Sequence, residues 1–330
     1  MPRAIASMIG NTPQLEHVVL APNPSEYPGV RTVPLPRDPA RALVAIRRME
    51  KLLEPDVVHA HSSVAGGLVR MVSRTPVIYQ PHAFAHLAIS RGRVFRLLAH
   101  AGERLVSHRT AAYATLSPAE SAAARSLLAR VSVFEIPNVP SVTASELGRR
   151  PAGHTPEVVM VGRVSVQKGP SFFAEVARLA RSQGDSFRFS WLGDGDEAAK
   201  ADLEAAGVRV TGWLPAERLA EHLRAADVYL HSAEYEGFPI SVLDANAAGL
   251  PVVVRPIDAL KHLDLPAVPT PCDALATVRR VLGDPAVRAE VMSRQAAALR
   301  GMDDDGQRDR VTDMYRTVVG CARRHAGPNS

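Results

Sequence analysis

Glu236 and Asp244 stand eight positions apart in a stretch from Ser232 to Val252, with Gly237, Phe238 and Pro239 between them. Proline suits the first turn of a helix, where its missing N–H costs nothing, so the sequence predicts a helix that starts near Pro239 and carries Asp244. Glu236 then lies in the loop ahead of the helix and Asp244 a turn inside it. The backbone N–H groups of Ile240, Ser241 and Val242 are left free to receive an anion. Two carboxylates that accept from hydroxyls, beside an anion-binding helix end, suit a hydroxyl-rich ligand attached to phosphate.

A second cluster supplies the countercharge. Gly162 and Arg163 follow a β-branched run directly, and Lys168 and Gly169 open the next helical stretch. Arg offers a planar fork and Lys a point charge, a pair suited to neutralising a phosphate group. The same two cations near a strand end also read as a solvated surface pair. Gly193, Asp194 and Gly195 follow the next run, where glycine lets backbone approach closely. Asp194 and Asp196 imitate an Asp-x-Asp metal motif, and Asp303, Asp304 and Asp305 form another acidic cluster. We read the former as part of a strand-to-helix turn and the latter as a helix cap, and expect no metal site.

The stretch around Glu236 and Asp244 resembles the signature of retaining glycosyltransferase family 4. Its members share the two-domain GT-B fold and use nucleotide-diphosphate sugars. That family carries two acidic residues at this spacing, usually both glutamate, so Asp244 is one methylene short. The resemblance implies that Gly162, Arg163 and Lys168 hold the diphosphate. It also implies that Gly193 lines the nucleotide side, and that the segment after Thr211 contributes backbone to the base pocket. By the same resemblance Glu236 binds sugar hydroxyls and Asp244 accepts from the ribose. Gly237, Phe238, Pro239, Ile240 and Ser241 complete the donor site. Two histidine-bearing strand ends, at His59 to His61 and at His82, resemble the family's first domain, and by that resemblance His82 approaches the transferred sugar. His86 competes for the role, with His61 in support. Ser117-Pro118 and Ile136-Pro137-Asn138 also match family positions and receive no chemistry here.

Short β-branched runs alternate with longer Ala-, Leu- and Arg-rich segments, the pattern of parallel sheets covered by helices. Strands are predicted over 17–20, 30–33, 56–60, 77–80, 111–115 and 131–136. Helices are expected over 39–53, 63–72, 94–107 and 118–129. The pattern restarts with strands over 157–161, 188–192, 208–211, 228–231 and 252–254. The expected architecture is α/β: two Rossmann-like doubly wound domains facing across a cleft. They divide into a first, acceptor-side domain over 1–145, a linker over 146–156, a nucleotide-sugar donor domain over 157–303 and a terminal helix and tail over 304–330 that cross back to the first domain. Strand ends of such sheets are where ligands bind, and each polar motif above falls at one.

The 330 residues carry a net charge of +5, unevenly spread. Residues 1–150 hold 18 Lys+Arg and 10 Asp+Glu, giving +8 and leaving −3 for the rest. Arg accounts for 35 of the 39 cations, so compositional bias explains part of this asymmetry. No nucleic-acid motif accompanies it. The segment 91–109 is basic, with Arg91, Arg93, Arg96, Arg104 and Arg109 against Glu103. Within it Val94, Leu97, Leu98, Ala101 and Leu105 recur at helical spacing. The plain expectation is a helix packed on the sheet through those residues; the sharper one is peripheral contact with a membrane surface. No apolar run is long enough for a signal peptide or a membrane span, so the default compartment is the cytoplasm. Cys272 and Cys321 are expected as reduced thiols.

The match to the family covers nearly the whole chain from His17 onward, but it starts late. Family members open with a strand, a glycine-rich loop and a helix, and residues 1–15 cannot hold all three. Residues 4–9 read as the tail of that helix. Loss of a central first strand would expose sheet edges. The expected activity is a retaining, metal-independent, cofactor-free transfer of a sugar from a nucleotide-diphosphate sugar to a sugar, lipid-linked or small-molecule acceptor hydroxyl. The setting is polysaccharide, glycolipid or glycosylated-metabolite biosynthesis. The alternatives are a catalytically impaired nucleotide-sugar-binding protein and, lacking an evident acid/base pair, an epimerase.

Overall fold

In the computed structural model, residues 2–87, 92–128, 130–142 and 154–326 are described. Arg91 and most of the expected 146–156 linker lie outside them. The chain divides into two compact units, one of residues 1–139 with 303–330 and one of residues 140–302.

The first unit runs α1 (Pro2–Gly10), β1 (Val18–Ala21), β2 (Arg31–Pro34), α2 (Pro39–Leu53), β3 (Val58–His61), α3 (Ser63–Val72), β4 (Val77–Gln80), α4 (Arg93–Ser107), β5 (Ala112–Thr115), α5 (Pro118–Leu127) and β6 (Ser132–Glu135). Residues 4–9, expected as a helix tail, lie within α1. The strands pair in parallel but in two pieces, β1 with β2 and, separately, β3-β4-β5-β6. Alternation along the strands feeds two cores. Ile78, Ala112 and Ala114 pack with Met8 of α1 and with Val311, Met314 and Val318. On the opposite side Tyr79 and Tyr113 pack with Phe84, Ala124 and Leu127.

The second unit runs β7 (Glu157–Val161), α6 (Pro170–Ser182), β8 (Arg188–Leu192), α7 (Glu197–Ala205), β9 (Val208–Val210), α8 (Ala216–Ala225), β10 (Val228–His231), α9 (Ile240–Ala247), β11 (Val252–Val254), α10 (Pro271–Gly283) and α11 (Pro285–Ala298). α12 (Asp304–Ala326) belongs to the first unit, and its start is capped by Asp303, whose carboxylate accepts from Gly306 N at 2.8 Å. The five strands lie parallel in the order β11-β10-β7-β8-β9. β10, β11 and the inner parts of β7 and β8 are buried on both faces, which explains their unbroken apolar runs. The order of winding reverses between β7 and β10, and this is where a doubly wound sheet leaves a crevice for ligand. Cys272 and Cys321 form no disulfide.

One expectation fails at α4. Val94, Leu97, Leu98, Ala101 and Leu105 do not pack on the sheet; they face solvent. The buried side of α4 is polar. Glu103 pairs with buried Arg70 at 2.7 Å and accepts from Tyr79 Oη at 2.9 Å, while the Arg70 guanidinium lies 3.9 Å from the Tyr79 ring centre. Periodicity located the apolar stripe, but two strong charges fixed which side turned inward. Removing one partner of a buried pair strands the other. Glu103→Leu is therefore expected to lower the urea unfolding free energy by about 3–5 kcal/mol, and Leu97→Gln to change it by no more than about 0.5 kcal/mol.

Candidate functional site

The loops after β7, β8 and β10 meet because glycines let their backbones touch. A Cβ on Gly193, at φ +154°, would stand 2.1 Å from Gly162 O. Trp191 Nε1 donates to that same carbonyl at 2.8 Å. A Cβ on Gly169, at φ +66°, would stand 2.2 Å from Ser232 O. No side chain fits at either place, so these contacts require glycine.

Across the switch point, Lys168 after β7 forms an ion pair with Glu236 after β10, the two side chains being 18% and 12% exposed. The surrounding bonds hold both loops in register. Glu234 N donates to Gln167 O at 2.8 Å, and Ser232 Oγ to Lys168 O at 2.8 Å. Gln167 Nε2 donates to Tyr235 O at 3.1 Å and reaches Glu236 Oε2 at 3.4 Å. Arg255, at the end of β11, donates to Ser232 O at 3.1 Å and stacks over Phe172. Beneath them His231 is fully buried, and its Nε2 has no hydrogen-bond partner. Burial first, then the nearby Lys168 and Arg255 charges, hold its pKa far below the ordinary value, so its ring is neutral.

α9 begins at Ile240 with Pro239 as its N-cap, one position earlier than first-turn placement, and no side chain caps it. Its first N–H groups follow Glu236 and the buried Gly237 and Phe238. Two predicted donor residues make side-chain bonds within the unit. Ser241 Oγ accepts from Tyr229 Oη at 2.8 Å in the core. Asp244 is 1% exposed, and its oxygens accept from Ser141 N at 2.5 Å and from Ser141 Oγ at 3.0 and 2.9 Å. Arg163 is exposed beside Gly162. Asp194 engages Lys200 at 2.8 Å and Asp196 caps α7 through Ala199 N at 2.9 Å. Among the described residues no group of three or more His, Cys, Asp or Glu could hold a metal ion.

The structure thus gathers Gly162, Lys168, Gly193, Glu236 and the start of α9 at one set of strand ends. Sequence reasoning missed Gln167, Arg255, His231 and Ser141. His231 had a signal, ending a strand two residues after Tyr229 on the same face and just before the acidic run. Ser141 had none, because its contact with Asp244 spans about a hundred positions and follows no motif.

In the first unit, β3 and β4 end in a histidine stack. His59 and His61 rings are centred 4.2 Å apart, and His61 Nδ1 shares a 2.9 Å hydrogen bond with His82 Nε2. His59 Nδ1 is bonded to Tyr315 Oη at 2.8 Å. His82 and Ala83 both carry positive φ, +55° and +100°, and for alanine the latter is strained. Glu120 holds the turn. Its carboxylate accepts from Ala83 N at 2.6 Å and from Leu116 N at 2.9 Å, while Ser117 Oγ accepts from Glu120 N. This is a capping box whose glutamate has been diverted outward to a neighbouring loop. His86 instead packs against Phe84 and His100.

Burial pushes His59 and His82 down from 6.5 to about 3 and Glu120 up from 4.5 to about 7. Below pH 6.5 the unfolded histidines bind protons that the native ones refuse, so their contribution to stability is lost as pH falls from 6.5 toward 3. Glu120 acts oppositely: its contribution is full below 4.5 and is lost as pH rises through 7. His61 shifts in the same direction as its neighbours, so the histidines outweigh Glu120. Urea unfolding is expected to show stability falling between pH 6.5 and pH 5, and Glu120→Gln to make the fall steeper; a shallower fall in the variant would remove this assignment.

Comparison with known proteins follows the same division. Residues 11–138 match the family model "Glycosyl transferase 4-like domain" and residues 155–275 the model "Glycosyl transferases group 1". The chain is 28% identical over 320 residues to 2-deoxystreptamine N-acetyl-D-glucosaminyltransferase of Streptomyces fradiae, covering 86% of this chain and 76% of that one. It is 26% identical over 254 residues to the UDP-Gal:alpha-D-GlcNAc-diphosphoundecaprenol alpha-1,3-galactosyltransferase of Escherichia coli, covering 69% and 64%. Among solved structures, HepE of Anabaena in complex with UDP-glucose superposes with a TM-score of 0.77 at 13% identity, over 96% and 95% of the two chains. Sucrose-phosphate synthase of Thermosynechococcus elongatus superposes at 0.74 and 18% identity, over 89% and 84%. Parallel sheets, strand-end loops and both matched segments converge on one assignment: the chain is a glycosyltransferase of GT-B architecture.

Proposed function

We propose that the chain transfers a sugar from a nucleotide-diphosphate sugar to an acceptor hydroxyl, with retention at the anomeric carbon and without a metal. The Lys168–Glu236 pair across the switch point of the second unit carries the reading. A diphosphate entering at these strand ends draws the Lys168 ammonium away from Glu236, and Arg163 and the first N–H groups of α9 share the charge. Glu236, so released, accepts from sugar hydroxyls. The bond from the anomeric carbon to the phosphate oxygen breaks as the acceptor oxygen bonds to the same face. The departing phosphate takes the acceptor proton. His82, held by His61 and by the Glu120 clamp on Ala83, donates to the sugar. The acceptor is a sugar, lipid-linked or small molecule. The +8 charge of residues 1–150 favours an anionic acceptor over a cationic one.

A second reading, donor binding without turnover, is favoured by Asp244, whose oxygens are engaged by Ser141 where a ribose hydroxyl would bind. Thermal shift with UDP, GDP, ADP and dTDP names the base. Donor-dependent turnover with an acceptor panel separates the readings. Lys168→Ala and Arg163→Ala are each expected to lower kcat/KM by about 100-fold and to weaken nucleotide binding. Unchanged kinetics in both variants would remove the site assignment.

A further inference from the structure

α4 is built inside out. On a helix turning about 100° per residue, Val94, Leu97, Leu98, Ala101 and Leu105 fall within an arc of about 100°. Val94, Leu97, Leu98 and Leu105 are 68–74% exposed. The opposite arc is polar and buried: Glu103 and Ser107 lie inside, Arg96 Nε donates to His86 O at 3.0 Å, and the His100 ring meets His86 edge to face. The apolar arc is bordered by exposed Arg93 and Arg104, with exposed Arg109 just beyond the helix. Glu103, the helix's one acid, is consumed by Arg70, so the outward face carries cations alone. Val64 and Met71 of neighbouring α3 are also exposed. No helix among the described residues is long and apolar enough to cross a membrane.

We propose that the outer face of α4 docks on an anionic lipid bilayer. Its Val and Leu side chains enter the acyl boundary while Arg93, Arg104 and Arg109 meet lipid phosphates. An apolar arc with a cationic border is the pattern that binds the plane of such a surface, hydrophobic area and charge acting together. A second copy of the chain is disfavoured by charge. A twofold contact is self-complementary, so it would place this all-cationic border against itself. The buried Arg70–Glu103–Tyr79 network holds the helix in this orientation without help from a partner. The docking is independent of which acceptor the enzyme uses.

The test is flotation of the full chain with vesicles of phosphatidylcholine alone and of phosphatidylcholine mixed with phosphatidylglycerol. The wild type is expected to float with the mixed vesicles and to be released by salt. Leu97→Gln/Leu98→Gln and Arg93→Gln/Arg104→Gln are each expected to reduce binding about tenfold or more, with thermal stability and nucleotide-induced thermal shift unchanged. Failure of the wild type to float, or equal flotation of the leucine variant, would overturn the proposal. So would a concentration-dependent dimer in light scattering that the leucine variant abolishes, which would assign the face to a second copy. Nucleotide binding in the same variants keeps this result separate from the fate of the donor-site reading.

Discussion

Backbone meeting backbone at Gly169 and Gly193 is the constraint on which the second unit's strand-end site depends. Parallel strands in the order β10-β7-β8 deliver three loops to one edge, but delivery alone leaves them a side chain apart. Glycine closes that distance, and Trp191, Ser232 and Gln167 then fasten the loops through main-chain carbonyls. Only after this fastening can Lys168 and Glu236, 68 positions apart in the chain, share a bond.

That bond settles both charges. Two opposite charges at partial burial are costly to leave alone, and here each satisfies the other. Neutral His231 below them avoids adding a third charge to a crowded region. In the first unit a different economy holds. Three histidines stay uncharged side by side, and Glu120 reaches out of its own capping box to hold a strained turn in the neighbouring loop.

Element positions were readable because strand and helix periods are strong over short windows. The expected spans 39–53, 63–72, 77–80, 157–161, 188–192, 228–231 and 252–254 coincide with α2, α3, β4, β7, β8, β10 and β11. The residues of the site were readable where glycine, proline and charge share a loop, as at Lys168 and Glu236. Orientation was not. The stripe on α4 has a clear period, yet period is silent about which face turns inward, and the partners that decided it, Arg70 and Tyr79, lie on other elements. The contact that Asp244 accepts from Ser141 is just as hidden, because the two lie far apart in the chain and share no motif.

The divided sheet of the first unit carries a consequence for how that unit opens. Among the described residues β1 and β2 form a sheet of their own, and a two-stranded pair is marginal without packing. Its attachment to the rest runs through side chains, Leu20 and Leu35 lying against Ile46, Ala60, Val69 and Val77. Among the described residues no strand ladder joins the pair to β3–β6, so it can loosen while the four-stranded sheet remains closed. The unit therefore has two layers of cooperativity, with amides of β1 and β2 exchanging with solvent through openings smaller than global unfolding.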